Sequence, residues 1–187
     1  VDLKLEPRES CFLVATDQEE VLPLKTFRKA VETRSYPNGW KVYFPENRGG
    51  PGTVTMDTLT DWTQSTKPGI RYFSGTAVYN KYIELDSLDS MKPSILTMQT
   101  LNAVSTVSIN GQLAGTVWCS PWSVDVTNLL KPGPNKLEIR VTNTWINRLI
   151  GDAVLPVGRR FSWTNYPIAK PTDDLQPSGL IGVCVLF

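Results

Sequence analysis

Between Thr144 and Gly179 the chain runs TWINRLIGDAVLPVGRRFSWTNYPIAKPTDDLQPSG, and at its start Trp145, Asn147, Arg148 and Asp152 stand close together. An indole is a flat apolar platform, and Asn, Arg and Asp carry planar edges that make two hydrogen bonds at once. That combination suits a sugar ring, which has apolar C–H faces and a rim of hydroxyls. A second aromatic pair, Trp118 and Trp122, flanks a proline in VWCSPWSVDVT. With Leu113, Gly115 and Val117 as the inward parity, Trp118 falls with Gln112, Ala114 and Thr116 on the opposite face, at an exposed or rim position. Two competing readings stay open: Trp118 and Trp122 seal one end of a core, and Arg148 with Asp152 forms an ion pair that merely orders the segment. Trp163 and Tyr166 extend the aromatic surface, although Tyr166-Pro167 reads equally well as a turn anchor.

Chemistry beyond binding finds less support. Hydrolysis of a glycosidic bond needs two carboxylates about 5 to 10 Å apart, one of them with a raised pKa. Asp61, Glu84, Asp125, Glu138, Asp152, Asp173 and Asp174 are available, but no spacing makes any two converge. Glu138 and Asp125 take the solvent parity of strands, and Asp173-Asp174 caps or solvates a turn. The chain has no histidine, which removes the usual general base near neutral pH and the commonest metal ligand. Cys11, Cys119 and Cys184 are far apart with no C-x-x-C spacing. They read as buried thiols, with one disulfide among them left open, and not as a zinc or dithiol site. No catalytic or metal-ligating residue is assigned, and no independent catalysis is expected.

The elements that would position the aromatic segment are short strands. The 187 residues suffice for one sizeable domain, or one domain plus a piece of another. A hydrophobic share of 41% against 20% charged residues is globular, and no apolar run approaches the roughly 18 residues of a membrane span. Lys plus Arg number 19 against 18 Asp plus Glu. No net field attracts nucleic acid, and Arg159-Arg160 is the tight basic cluster. Strand-like runs are predicted at Trp40 to Phe44, Thr53 to Met56, Thr76 to Leu85, Ser94 to Leu101, Val104 to Ile109, Leu113 to Trp118, Val124 to Val126, Leu137 to Thr142 and Leu180 to Phe187. Asn110-Gly111 forms a two-residue type I′ turn, and Lys131-Pro132-Gly133 suits type II, so two antiparallel hairpins are expected. Leu137, Ile139 and Val141 alternate with Lys136, Glu138, Arg140 and Thr142, as a strand does with one face in a core and one in water. Thr58 to Ser65 and Thr127 to Leu130, the latter capped by Thr127, are the candidate short helical turns. Residues 144–179 show no strand alternation, several Pro and Gly, and a concentration of Trp, Tyr, Asn, Arg and Asp. A loop of that length is usually functional or disordered, and its aromatics argue for order.

At this point a resemblance enters. GIRYFSGTAVYNKYIEL followed by VSINGQLAGTVWCSPWSVDVTNLLKPGPNKLEIRVTN resembles the sugar-binding-like β-sandwich of glycoside hydrolase family 2. FSGTAVY, WCSPWSVDVT and TNTWINRLIGD are similar to the C-terminal sandwich of family 106 α-L-rhamnosidases and their relatives. The likeness covers roughly residues 38 to 187. It departs from the usual pattern at Cys119, Ser120 and Trp122. LKLEPRESCFLVA resembles a strand closing a preceding domain. The resemblance implies an all-β, galactose-binding-like jelly-roll sandwich with one long aromatic-rich loop. It divides the chain into 1–37, the end of a preceding domain, and 38–187, the sandwich. It also implies that the segment after the strand Leu137 to Thr142 reaches toward the active site of a separate catalytic barrel, where Asp152 would contribute to the sugar or a nearby cation.

The combined expectation is a non-catalytic carbohydrate-binding or active-site-supporting module of a glycoside hydrolase. Trp118, Trp122 and Trp145 would stack, and Asn147, Arg148 and Asp152 would hydrogen-bond. Carbohydrate and the parent's catalytic domain are the expected partners; nucleic acid and membrane are not. No cofactor is required, while the implied fold class is compatible with a structural Ca²⁺, although no Asp/Asn run has EF-hand-like spacing. The implied home is periplasmic or secreted. The start at Val1, without Met or leader, suggests a fragment, and a removed signal peptide would look the same. The rival expectation is an interdomain packing module that binds no sugar.

Overall fold

The computed structural model describes residues 32–86 and 93–186. The opening strand expected in LKLEPRESCFLVA, Cys11 and most of segment 1–37 lie outside them. Among the described residues ten strands pair antiparallel: β1 (Thr33–Ser35), β2 (Trp40–Phe44), β3 (Gly52–Met56), β4 (Thr76–Leu85), β5 (Ile95–Leu101), β6 (Val104–Ile109), β7 (Gln112–Val117), β8 (Ser123–Asp125), β9 (Gly133–Thr142) and β10 (Leu180–Leu186). They form a four-stranded sheet, β1-β10-β5-β8, and a six-stranded sheet, β3-β2-β4-β9-β6-β7. This is the expected sandwich. β1 lies before the boundary drawn at residue 38, and it pairs with β10, Thr33 opposite Leu186. Among the described residues no helix is long and apolar enough to cross a membrane.

Alternation builds the layers. In β9, Leu137, Ile139 and Val141 are fully buried, while Lys136 and Arg140 flank Glu138 at 3.8 and 3.7 Å on the outer face. The core between the sheets is aromatic at one end. Phe44, Trp62 and Phe73 meet edge to face with centroids 5.0 to 5.6 Å apart, the arrangement their ring quadrupoles favour. Trp62 reaches this cluster from a 3-10 turn, Trp62–Gln64, whose N-terminal cap is Asp61. Its indole N–H donates to the Tyr79 hydroxyl at 2.6 Å.

The Asn110-Gly111 turn forms as expected, with φ of 54° and 83° at its two central residues. The second expected hairpin does not form. Lys131-Pro132-Gly133 leads from a 3-10 turn, Thr127–Leu129, into β9, because β8 belongs to the other sheet. Thr127 does not cap that turn: the N-cap position is Val126, without a side-chain cap, and the Asp125 carboxylate accepts from the Thr127 amide at 2.9 Å and its hydroxyl at 2.6 Å. The inward parity assigned to Leu113 also fails. A bulge shifts the β6–β7 register, so that Leu113 opposes the outward Ser108 while Gly115 opposes Val107. Leu113 is 65% exposed and Val117 stays buried. One extra residue in one strand moves a side chain to the other face.

Residues 144–179 are not all loop. Ile146–Ala153 forms an α-helix, here α2, the second after the single turn α1 (Pro68–Arg71). Its buried residues are Asn147, Arg148, Ile150, Gly151 and Asp152. Its apolar residues, Ile146, Leu149, Ile150 and Ala153, recur at helical spacing, the signal from which the helix could have been read; that spacing does not reveal that the buried face is mostly polar.

Candidate functional site

The excursion leaves the six-stranded sheet at the end of β9 and is tied back to the core by side-chain amides. Asn143 accepts from the Gly75 amide at 2.9 Å and donates to the Phe73 carbonyl and the Ser178 hydroxyl, both at 3.0 Å. Asn147 donates to the Gln176 carbonyl at 2.7 Å and the Ser178 hydroxyl at 3.1 Å, and accepts from the Gln176 amide at 2.8 Å. Asp61 accepts from the Ser178 amide at 3.1 Å. The start and the return of the excursion are thus held to each other and to the Trp62 turn. α2 has no cap from its own flanking residue; instead the Arg148 amide donates to the Ser74 hydroxyl at 2.9 Å.

Arg148 and Asp152, one helical turn apart, are both buried, with Nε 3.1 Å from Oδ1. The angle falls short of a hydrogen bond, so the contact is mainly electrostatic. Burial pulls the Arg148 guanidinium below its ordinary pKa, and the Asp152 charge partly offsets this. The other Asp152 oxygen accepts from the Phe161 and Ser162 amides at 3.1 and 2.7 Å and from the Ser162 hydroxyl at 2.6 Å. The polar atoms of Asn147 and Asp152 therefore meet protein partners. The Arg148 guanidinium lies 5.1 Å from the Phe161 ring centroid.

The tryptophans are placed differently. Trp145 is 44% exposed and stacks under Arg48, whose guanidinium carbon is 4.9 Å from the ring centroid. Trp118 is 70% exposed. It follows Val117, which opposes Ser105, which in turn opposes Val141. Trp118 therefore stands at the same end of the sheet as the excursion, two strands or roughly 10 Å away. Trp122 is half-buried and packs against the core, its carbonyl accepting from the Met98 amide at 2.8 Å. Trp163 and Tyr166 are 85% and 70% exposed. Cys119 is a free thiol. Among the described residues no group of three or more Cys, Asp or Glu is arranged to hold a metal ion.

Sequence reasoning missed Arg48, which lies far from Trp145 in the chain, and Ser74 and Ser178, common residue types whose role exists only across long separations; Asp61 was named as a carboxylate, but not its tie to Ser178. Arg160 carried a signal, as part of the one tight basic pair, and with Ser162 and Lys170 it lines a cleft of about 400 Å³ beside Trp163.

Comparison with known proteins bears on the family and the fold. Residues 61–156 match the family described as glycosyl hydrolase 2 galactose-binding domain-like. A protein named putative beta-glucuronidase from Formosa agariphila is 42% identical, with 76% of this chain and 14% of that protein covered. The structure of a rhamnosidase from Novosphingobium sp. PP1Y superposes with a TM-score of 0.78 at 32% identity, over 91% of this chain and 16% of that one. The Ruminococcus gnavus beta-glucuronidase shares the fold, with a TM-score of 0.59 at 20% identity, over 88% and 30% of the two chains. The chain thus spans a small part of each of these proteins.

Proposed function

The chain belongs to the glycosyl hydrolase 2 galactose-binding domain-like family, and from that premise we propose that it is a non-catalytic carbohydrate-binding, active-site-supporting module of a glycoside hydrolase of the α-L-rhamnosidase kind. The single observation behind this reading is the tethered excursion, which holds Trp145 and Trp163 in water at one end of the sandwich. Large indole faces left exposed on an ordered segment are binding surface, since burying them recovers substantial apolar area. In this reading sugar stacks on those indoles, the excursion faces a catalytic domain that supplies the acid and base, and no cofactor is needed. A parent enzyme of family 106 type, degrading polysaccharide in the periplasm or outside the cell, fits the likeness to the rhamnosidase.

Calorimetric titration with rhamnose, galactose and plant-polysaccharide oligomers tests the binding half. Saturable heat that is lost in Trp163→Ala is the expected result; no heat with any of them rejects sugar binding. The second reading, a packing module that binds no sugar, draws on the inward engagement of Asn147 and Asp152 and on Trp122, which packs against the core. It expects iodide quenching of Trp145 and Trp163 fluorescence in the isolated chain to vanish once the remaining domains are attached.

A further inference from the structure

The cleft between the C-terminal end of α2 and the returning segment has a charge imbalance. Leu149 and Ile168 form apolar wall, Trp163 lies at 85% exposure beside them, and Arg160, Lys170 and Ser162 supply polar groups. The carboxylate that lines it, Asp152, is already committed: one oxygen takes three donors and the other faces Arg148. Arg160 is held by Nε donating to the Leu155 carbonyl at 3.1 Å. Among the described residues neither Arg160 nor Lys170 takes part in an ion pair. The acid nearest in sequence, Asp173, uses Oδ2 to accept from the Lys170 main-chain amide at 2.8 Å. The charge left for a ligand is positive, beside an uncovered indole, in a space of about 400 Å³.

We propose that this cleft is a subsite for a sugar residue bearing an anionic group, a carboxylate or a sulfate ester, which lies on Trp163 and presents its charge to Arg160 and Lys170. This rests on the carbohydrate-binding reading above and adds the substrate class. Charge-assisted hydrogen bonds are about twice as strong as neutral ones, and two cations beside an aromatic face would separate a charged sugar from its neutral isostere by about tenfold or more. Ser162 contributes little, because its hydroxyl already donates to Asp152 at 2.6 Å.

The test is calorimetry on the whole chain with methyl β-D-glucuronide, D-glucose 6-sulfate and methyl β-D-glucoside, with Trp163 fluorescence as a second readout. At least one anionic probe should bind about tenfold more tightly than the glucoside, with the advantage shrinking as salt is raised, and which one does so separates carboxylate from sulfate. The advantage should disappear in Arg160→Gln/Lys170→Gln while the residual affinity matches that for the glucoside. If the double variant does not fold, Lys170→Gln alone, at an exposed position, should reduce the advantage. Equal affinity for charged and neutral sugars, or a preference that survives these substitutions, overturns the subsite and leaves the carbohydrate-binding reading standing. Absence of binding by every probe also overturns the subsite, while the carbohydrate-binding reading stands or falls on the rhamnose, galactose and oligomer titrations.

Discussion

At the scale of single residues the decisive feature is a charge pair placed where water is scarce. Asp152 is the hinge of the excursion, since it neutralises Arg148 on one side and orders Phe161 and Ser162 on the other. Asp152→Asn should therefore cost about 3 to 5 kcal/mol in urea unfolding, because the guanidinium is left buried without a counter-charge. Asp152→Asn/Arg148→Met should recover part of that loss; an unchanged urea midpoint in the single variant would contradict the argument. A second buried group sets the alkaline limit. Burial raises the Tyr79 phenol well above its ordinary value, against smaller downward pulls from the Trp62 N–H and the Leu180 main chain. A folded-state pKa above the unfolded one means that the stabilisation is complete below about pH 10 and is lost as pH climbs past it. The urea midpoint should be level from about pH 7 to 9 and fall above about pH 10. Tyr79→Phe should remove most of that slope while costing about 1 to 3 kcal/mol at neutral pH, since the Trp62 N–H loses its acceptor. Tyr36, whose phenol burial also raises, keeps the remainder.

At the scale of elements, α2 exists because other parts of the chain accommodate it. Gly151 faces Tyr72 so closely that an added Cβ would sit 2.5 Å from the Tyr72 Cβ and from Arg148 Nη2. On an exposed helix surface Gly→Ala gains about 1 kcal/mol. Here Gly151→Ala should instead lower stability by about 1 to 3 kcal/mol through overpacking, read as a drop in Tm. A rise in Tm would show that α2 does not press on Tyr72. The hairpin at Asn110-Gly111 needs no such neighbour. The Asn110 side-chain Nδ2 donates to the Leu129 carbonyl at 3.0 Å and to Asn135 Oδ1 at 2.9 Å, yet Gly111 has nothing within 4 Å of an added Cβ. Positive φ alone accounts for the glycine there.

At the scale of the whole molecule, the excursion is part of the sandwich and not an appendage. Asn143, Asn147 and Ser178 join its two ends, and Asp61 joins them to the aromatic core. Trypsin should therefore cut slowly at Arg159 and Arg160, although both are exposed, because the Arg160 amide is bonded to the Val157 carbonyl and the Phe161 amide to Asp152. Asn147→Ala should speed that cleavage by about tenfold or more while changing Tm only modestly, since local opening is cheaper than global unfolding. Equal cleavage rates in both proteins would mean that the ties do not hold the segment.

The sandwich was legible without coordinates because strand alternation and turn chemistry act over a few residues: Leu137, Ile139 and Val141 must share a face, and Asn110-Gly111 must turn. The aromatic richness of residues 144–179 was equally plain. What local pattern could not decide was which polar side chains of that segment face water. Asn147, Arg148 and Asp152 have the composition of a ligand site, yet they lie inside, since their partners at Gln176, Ser178, Phe161 and Ser162 arrive only when the chain folds back. Leu113 went outward for a similar reason, a bulge set by pairing with another strand. Backbone geometry is written into neighbouring residues, whereas burial of a charge depends on satisfying it, and the groups that do so here come from the fold.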